Sequence, residues 1–273
     1  MLQRIYSRSM LLFILLITAL PASHALTVNA ALPITETVTV QPIVVSDNNG
    51  SNTATFLGNA TQQSTIEGLI DQIWAQAGID VSFLTPTFWN NTFANWGNGG
   101  PPNNAGNSRP TSDLNAMITS GTAAGVTSSD PTVLNMFFVR IPAGFALLNN
   151  NQAAGLARLG GNGISQYVGS NLTGFSAGQE VVAGVVAHEI GHNLGLTHPG
   201  SGLPNLMSPG GTTEQLNASQ IITALNSNLS TANPATPTPP PAAPVPLPAA
   251  FWLLGSAFML LFKKKRIISP IAA

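Results

Sequence analysis

The chain has 273 residues, no cysteine and only 7% charged side chains, so no disulfide can stabilise it and neutral polar groups must solvate its surface. Between residues 26 and 248 ten acidic residues stand against three basic ones, Arg109, Arg140 and Arg158. With no basic patch to neutralise phosphates, this balance argues against a nucleic-acid partner.

The first residues have the order of a secretory signal: Arg4 and Arg8, an apolar run from Met10 to Leu20, then Ser23-His24-Ala25, with cleavage expected after Ala25. A retained anchor is the weaker reading, because the run is about half the length of a membrane span. Residues 27–230 are enough for one domain with a sizeable core. Thr37 to Val45 is β-branched and alternating, which predicts a strand, and Asp47-Asn48-Asn49-Gly50 predicts a turn. The start of a calcium loop is a weaker reading of that turn, since the remaining ligands are missing.

Ile66, Leu69, Ile70, Ile73, Trp74 and Ala77 fall at helical spacing and predict an amphipathic helix whose stripe is core. A second strand is expected over 80–84. Residues 85–112 are rich in Asn, Gly and Pro and read as a long loop. Its Phe88, Trp89, Phe93 and Trp96 either line a substrate groove or fasten the loop to the body. A short helix over 113–120 and a strongly apolar, central strand over 132–141 follow. Gly155 to Ile164 is glycine-rich and leads into another strand over 164–169. Leu216 to Leu229 has helical spacing and is expected to close the domain. Asn171-Leu172-Thr173 and similar triplets read as composition rather than as glycosylation sites.

Chemistry concentrates in residues 188–198, His-Glu-Ile-Gly-His-Asn-Leu-Gly-Leu-Thr-His. The apolar, proline-free run from Ser176 through Val186 leads into it as a buried helix. His188 and His192, four apart, lie on one helix face where both imidazoles reach the same ion. Glu189 stands between them, placed to work on water at that ion. Gly195 can take a left-handed backbone that ends the helix and turns the chain back, bringing His198 round as a third nitrogen ligand. Three histidines with an open position describe a catalytic Zn2+ site rather than a structural one. The only other histidine in the chain, His24, sits at the expected cleavage site.

Nine residues after His198 comes Met207, within Asn205-Leu206-Met207-Ser208-Pro209. A His-Glu-x-x-His-x-x-Gly-x-x-His motif followed by a methionine turn resembles the metzincin zinc metallopeptidases. In that family the methionine packs beneath the three-histidine platform, and Met207 is the matching residue. Some members carry a tyrosine two residues after the methionine; Pro209 stands there instead. The pattern is therefore similar to the matrixins, with three protein ligands and water.

The resemblance implies peptide-bond hydrolysis, with Glu189 as general base. It also implies a metzincin-like zincin fold of α+β class. That fold has a mixed, mostly parallel sheet of four or five strands, an antiparallel edge strand, an active-site helix and a C-terminal helix. In metzincins the edge strand before the active-site helix binds extended peptide by strand addition. Gly155 to Ile164 occupies the matching place, although a plain hairpin is an equal reading. The absence of cysteine leaves no thiol to block the zinc. The rival readings are a non-catalytic zinc-binding matrix or adhesion protein, and cleavage of a peptidoglycan cross-link.

Residues 231–248 are dense in proline, threonine and alanine and form an extended linker. Residues 249–273 are a hydrophobic segment plus a basic tail: Ala249 to Phe262 is uncharged and mostly apolar, and Lys263, Lys264, Lys265 and Arg266 follow. The basic cluster predicts a cytoplasmic end, with the body outside. With Val245-Pro246-Leu247-Pro248-Ala249-Ala250 in front, the order resembles a PEP-CTERM sorting signal. That resemblance implies an exosortase-type processing enzyme as partner, and release or attachment at the surface of a Gram-negative bacterium. A permanent single-pass anchor is the alternative, disfavoured because the apolar stretch is short.

Overall fold

The computed structural model describes residues 26–96, 110–140, 146–148, 151–168, 178–200, 203–209 and 213–233. The expected signal segment, nearly all of the linker and the whole C-terminal segment lie outside them. Among the described residues, no helix is long and apolar enough to cross a membrane.

The sheet is built around β1 (Glu36–Ser46), the expected first strand. β2 (Ile79–Phe83) pairs in parallel with its first half, from Glu36 to Val40. β3 (Thr87–Asn90) pairs in parallel with its second half, from Ile43 to Ser46. Pro42 falls between the two pairings, where its missing N–H costs least. The Gln41 side chain bridges that point, donating to the carbonyls of Pro42 at 2.9 Å and Thr85 at 3.0 Å. β4 (Val133–Val139), the expected central strand, lies parallel between β1 and β8 (Ile164–Tyr167). β7 (Gly155–Ala157) closes the order antiparallel to β8, and β9 (Thr231–Ala232) pairs antiparallel with the start of β1. The sheet has seven strands where four or five were expected, in the order β2-β1-β4-β8-β7 with β3 and β9 also on β1. It is mixed and mostly parallel with an antiparallel edge, as expected. β5 (Ala146–Leu148) and β6 (Asn151–Ala153) form a separate two-stranded ribbon.

Both faces of the sheet are covered, so its central strands are buried throughout rather than alternating. On β4, Leu134, Met136 and Phe138 face the larger core, and Phe137 and Val139 face the smaller one. The larger core takes Ile66, Ile70, Ile73 and Trp74 from α1 (Ala60–Ala75), and Val182, Val186 and Ile190 from α4 (Gln179–Asn193). The smaller core takes Ala94 from α2 (Thr92–Trp96) and Met117 from α3 (Pro110–Ala123). α1 starts on a capping box in which the Asn59 side chain accepts from Gln62 N and Gln62 returns a bond to Asn59 N.

Two expectations are corrected. The stretch 85–112 is not one long loop, because it holds β3, α2 and the start of α3. Trp89 is fixed in the smaller core, its ring 5.9 Å from that of Phe137. Trp96 donates its indole N–H to Asp47 at 2.7 Å. These two aromatics fasten the segment, whereas Phe88 is 71% exposed. The Asp47 carboxylate also accepts from Asn52 at 2.6 Å and Asn95 at 3.0 Å, so amide and indole donors fill the turn that faintly resembled a calcium loop. The closing helix, α5 (Ala218–Leu225), is shorter than the expected 216–229. Asn226, Ser227 and Asn228 end it, and Leu229 reaches the core from a turn.

One carboxylate in this framework opposes folding. Asp71 on α1 accepts a hydrogen bond from Val81 N at 3.1 Å. Burial pushes its pKa up to about 6, against the lowering effect of that bond, and Asp80 and Glu67 add repulsion. The folded state therefore holds a proton that the unfolded chain has lost, and stability falls as pH rises from about 4 to about 6. Asp71→Asn keeps an acceptor for Val81. We expect it to stabilise the protein by about 1 kcal/mol at pH 7, after allowing for solvent screening, and to flatten that pH window. Urea unfolding between pH 4 and 8 measures both.

Candidate metal centre

α4 carries the motif and ends inside it. Gly195 takes φ +93°, the left-handed backbone expected of it. Leu196 N donates to Gly191 O and Gly195 N to His192 O, both at 2.9 Å, the paired bonds of a Schellman ending. This ending also orients a ligand: the turned-back Leu196 carbonyl accepts from His192 Nδ1 at 2.8 Å.

His188 is held the same way, its Nδ1 2.7 Å from the carbonyl of Leu206. With each Nδ1 donating its proton to a carbonyl, Nε2 carries the lone pair on both rings. His198 Nε2 lies 3.2 Å from His188 Nε2 and 3.1 Å from His192 Nε2. Tetrahedral zinc with bonds of about 2.0–2.1 Å separates its nitrogen ligands by about 3.3 Å. The three imidazoles thus converge on one point at the spacing zinc needs, and among the described residues they are the one such group. Burial, foremost, pushes His188 down to about 4 and also lowers His192 and His198, so all three rings are neutral and ligand-competent near neutral pH. The residues present fit Zn2+. His198 is exposed, which leaves the centre open to solvent.

Glu189, next to His188 on the helix, is buried, with 7% of its surface exposed. Burial pushes its carboxyl up to about 8, and the carboxyl has no hydrogen-bond partner among the described residues.

Met207 is fully buried in the turn that supplies the Leu206 carbonyl. Its sulfur lies against Gly191, where an added Cβ would come within 2.5 Å. The expected methionine therefore sits under the helix one residue before His192. Sequence reasoning missed what holds this turn. Asn205 and Gln220 exchange side-chain amide bonds at 2.8 and 3.0 Å, and Met207 N donates to Asn205 Oδ1 at 2.9 Å. Gln220 also completes the capping box of α5. It missed Asn193 as well, whose side-chain amide donates to the carbonyls of Arg158, Gly161 and Gly163 and binds the β7–β8 turn to the end of α4. Asn193 lies inside the motif, so its position was visible and its partners were not.

A helix-borne histidine pair, a third histidine beyond a glycine turn, a buried carboxylate beside them and a mixed sheet behind are features of a zinc metallopeptidase. Residues 109–199, one third of the chain, match the model for the reprolysin-like Metallo-peptidase family M12B. No curated protein matches the chain. Among solved structures, archaemetzincin from Methanopyrus kandleri is 15% identical with a TM-score of 0.41, over 70% of this chain and 95% of that one. Metalloproteinase-II from Bacteroides fragilis is 16% identical with a TM-score of 0.42, over 72% of this chain and 57% of that one. A chaperone–substrate complex matches at 12% identity and a TM-score of 0.38, over 68% of this chain and 29% of that one. Similarity this low leaves the functional reading to the site itself.

Proposed function

We propose that the chain is a zinc-dependent endopeptidase of metzincin type, exported and released or attached at the cell surface. The observation that carries this reading is the convergence of His188, His192 and His198 through Nε2, with the Glu189 carboxyl buried on the same helix and without a hydrogen bond among the described residues. The family match over 109–199 supports it.

Zinc at the three imidazoles supplies the Lewis acidity that activates water and a carbonyl group. Glu189 accepts the proton of the attacking water. As the new C–O bond forms and the peptide C–N bond breaks, Glu189 passes that proton to the departing amine. With a dication bound at the imidazoles, its carboxyl would be held lower than burial alone places it and would be able to act as a base. Gly195 and the carbonyls of Leu196 and Leu206 orient the ligands, and Met207 fills the space beneath them. β7, the last strand of the sheet order, supports the strand-addition reading, with peptide substrate laid antiparallel along the edge next to Glu189. Export rests on the signal-like first 25 residues. Surface release or attachment rests on the proline-rich, apolar and basic order of residues 245–266, which implies exosortase-type processing and membrane contact only through that segment.

The test is hydrolysis of a broad peptide library by the zinc-loaded protein. Activity is expected to disappear with a chelator and return on adding Zn2+. A protein that holds one zinc per chain and cuts no peptide overturns this reading in favour of a zinc-binding adhesion protein. Cleavage confined to cell-wall fragments reassigns the substrate to a peptidoglycan cross-link.

A further inference from the structure

We infer that Gly155 is a positioning residue for Glu189: the volume its side chain would fill is the seat of the Glu189 side chain. This rests on the peptidase reading above.

Gly155 opens β7 and is buried. A Cβ placed on it would lie 2.8 Å from Glu189 Cγ, 3.0 Å from Cδ and 3.0 Å from Oε1. No real Cβ contact to a carbon is that short, so with any larger residue one of the two must move. The β7 backbone is held by pairing with β8 and by hydrogen bonds at both ends. Tyr167 N and Gln166 Nε2 both donate to Ala154 O, at 3.1 and 3.0 Å, on the entry to the strand. Past the strand, Gly160 N donates to His192 O at 2.8 Å, and Asn193 ties down the same turn. Among the described residues, no hydrogen bond holds Glu189. A side chain at position 155 therefore displaces Glu189 rather than the strand. The backbone at Gly155 lies outside the left-handed region, so alanine there brings no conformational strain. Its absent methyl group is explained by Glu189.

The test is a double-mutant cycle in the full-length chain, with Gly155→Ala, Glu189→Ala and the pair. Gly155→Ala is expected to keep one zinc per chain and lower kcat about 100-fold, the loss that an ångström of misplacement causes. KM is expected to stay within about twofold, because no substrate contact is removed. In the Glu189→Ala background the same change is expected to cost no further activity. Urea unfolding reads the seat without any substrate: Gly155→Ala lowers the midpoint when Glu189 is present and does not when it is alanine. Additive midpoints overturn the seat. A Gly155→Ala protein with wild-type kcat, or one altered in KM alone, overturns the positioning role. If Gly155→Ala alone does not fold, the pair still must, because the slot is then empty; a pair that also fails to fold overturns the inference. An unsubstituted chain without peptidase activity counts against the parent reading, and the unfolding cycle still decides the seat.

Discussion

Glu189→Gln is expected to lower kcat about 1000-fold while leaving zinc content at one per chain. Glutamine has the same length and shape, so it fits the seat against Gly155 and does not disturb His188 or His192 on the same helix. What it removes is basicity: the amide cannot accept the proton of the attacking water or return it to the amine. General acid–base catalysis by a positioned side chain contributes about 10²–10⁴-fold. Glu189 is the one carboxylate of α4 adjacent in sequence to a histidine of the site, and no described residue is bonded to it as a substitute relay. Folding should not suffer, since the change removes an ionisable group that burial already penalises. Steady-state kinetics with metal analysis on the same sample checks both halves. Activity within tenfold of wild type would show that the proton moves by another route.

His192→Ala is expected to weaken zinc binding more than 100-fold and to abolish hydrolysis. Loss of a mere supporting partner of a metal ligand costs about 10–100-fold in affinity, and His192 is held as a ligand itself. The two remaining imidazoles cannot complete a catalytic set of three. A second readout is independent of substrate. A ligand that binds only the folded state stabilises it by about 2.7 kcal/mol at one hundred times its dissociation constant. Added Zn2+ should therefore raise the unfolding midpoint of the wild-type chain and leave that of His192→Ala unmoved. Full zinc stoichiometry in the variant after dialysis would remove His192 from the ligand set.

How legible this molecule was depends on the range of the interactions. The helix pair His188 and His192 follows from spacing alone, because four residues make about one turn of any α-helix. The glycine turn at Gly195 follows from the one residue type that tolerates its backbone. β1, β4 and α1 were visible because burial imposes a period, or an unbroken apolar run, on the sequence. β3 and α2 fall where the sequence predicts a loop. Their Asn- and Pro-rich surroundings carry no such period, and β3 exists only through its hydrogen bonds to β1, more than 40 residues away.

The amino-acid order thus determined by itself which side chains gather at the metal centre and how the helix beneath them ends, since both are set within eleven residues. Only the tertiary structure decided the seven-strand order, the Asn205–Gln220 pair that steadies the methionine turn, and the seating of Glu189 on Gly155. Each of these joins residues that no local rule relates, and each is held by packing and hydrogen bonds that form only when the chain has closed on itself.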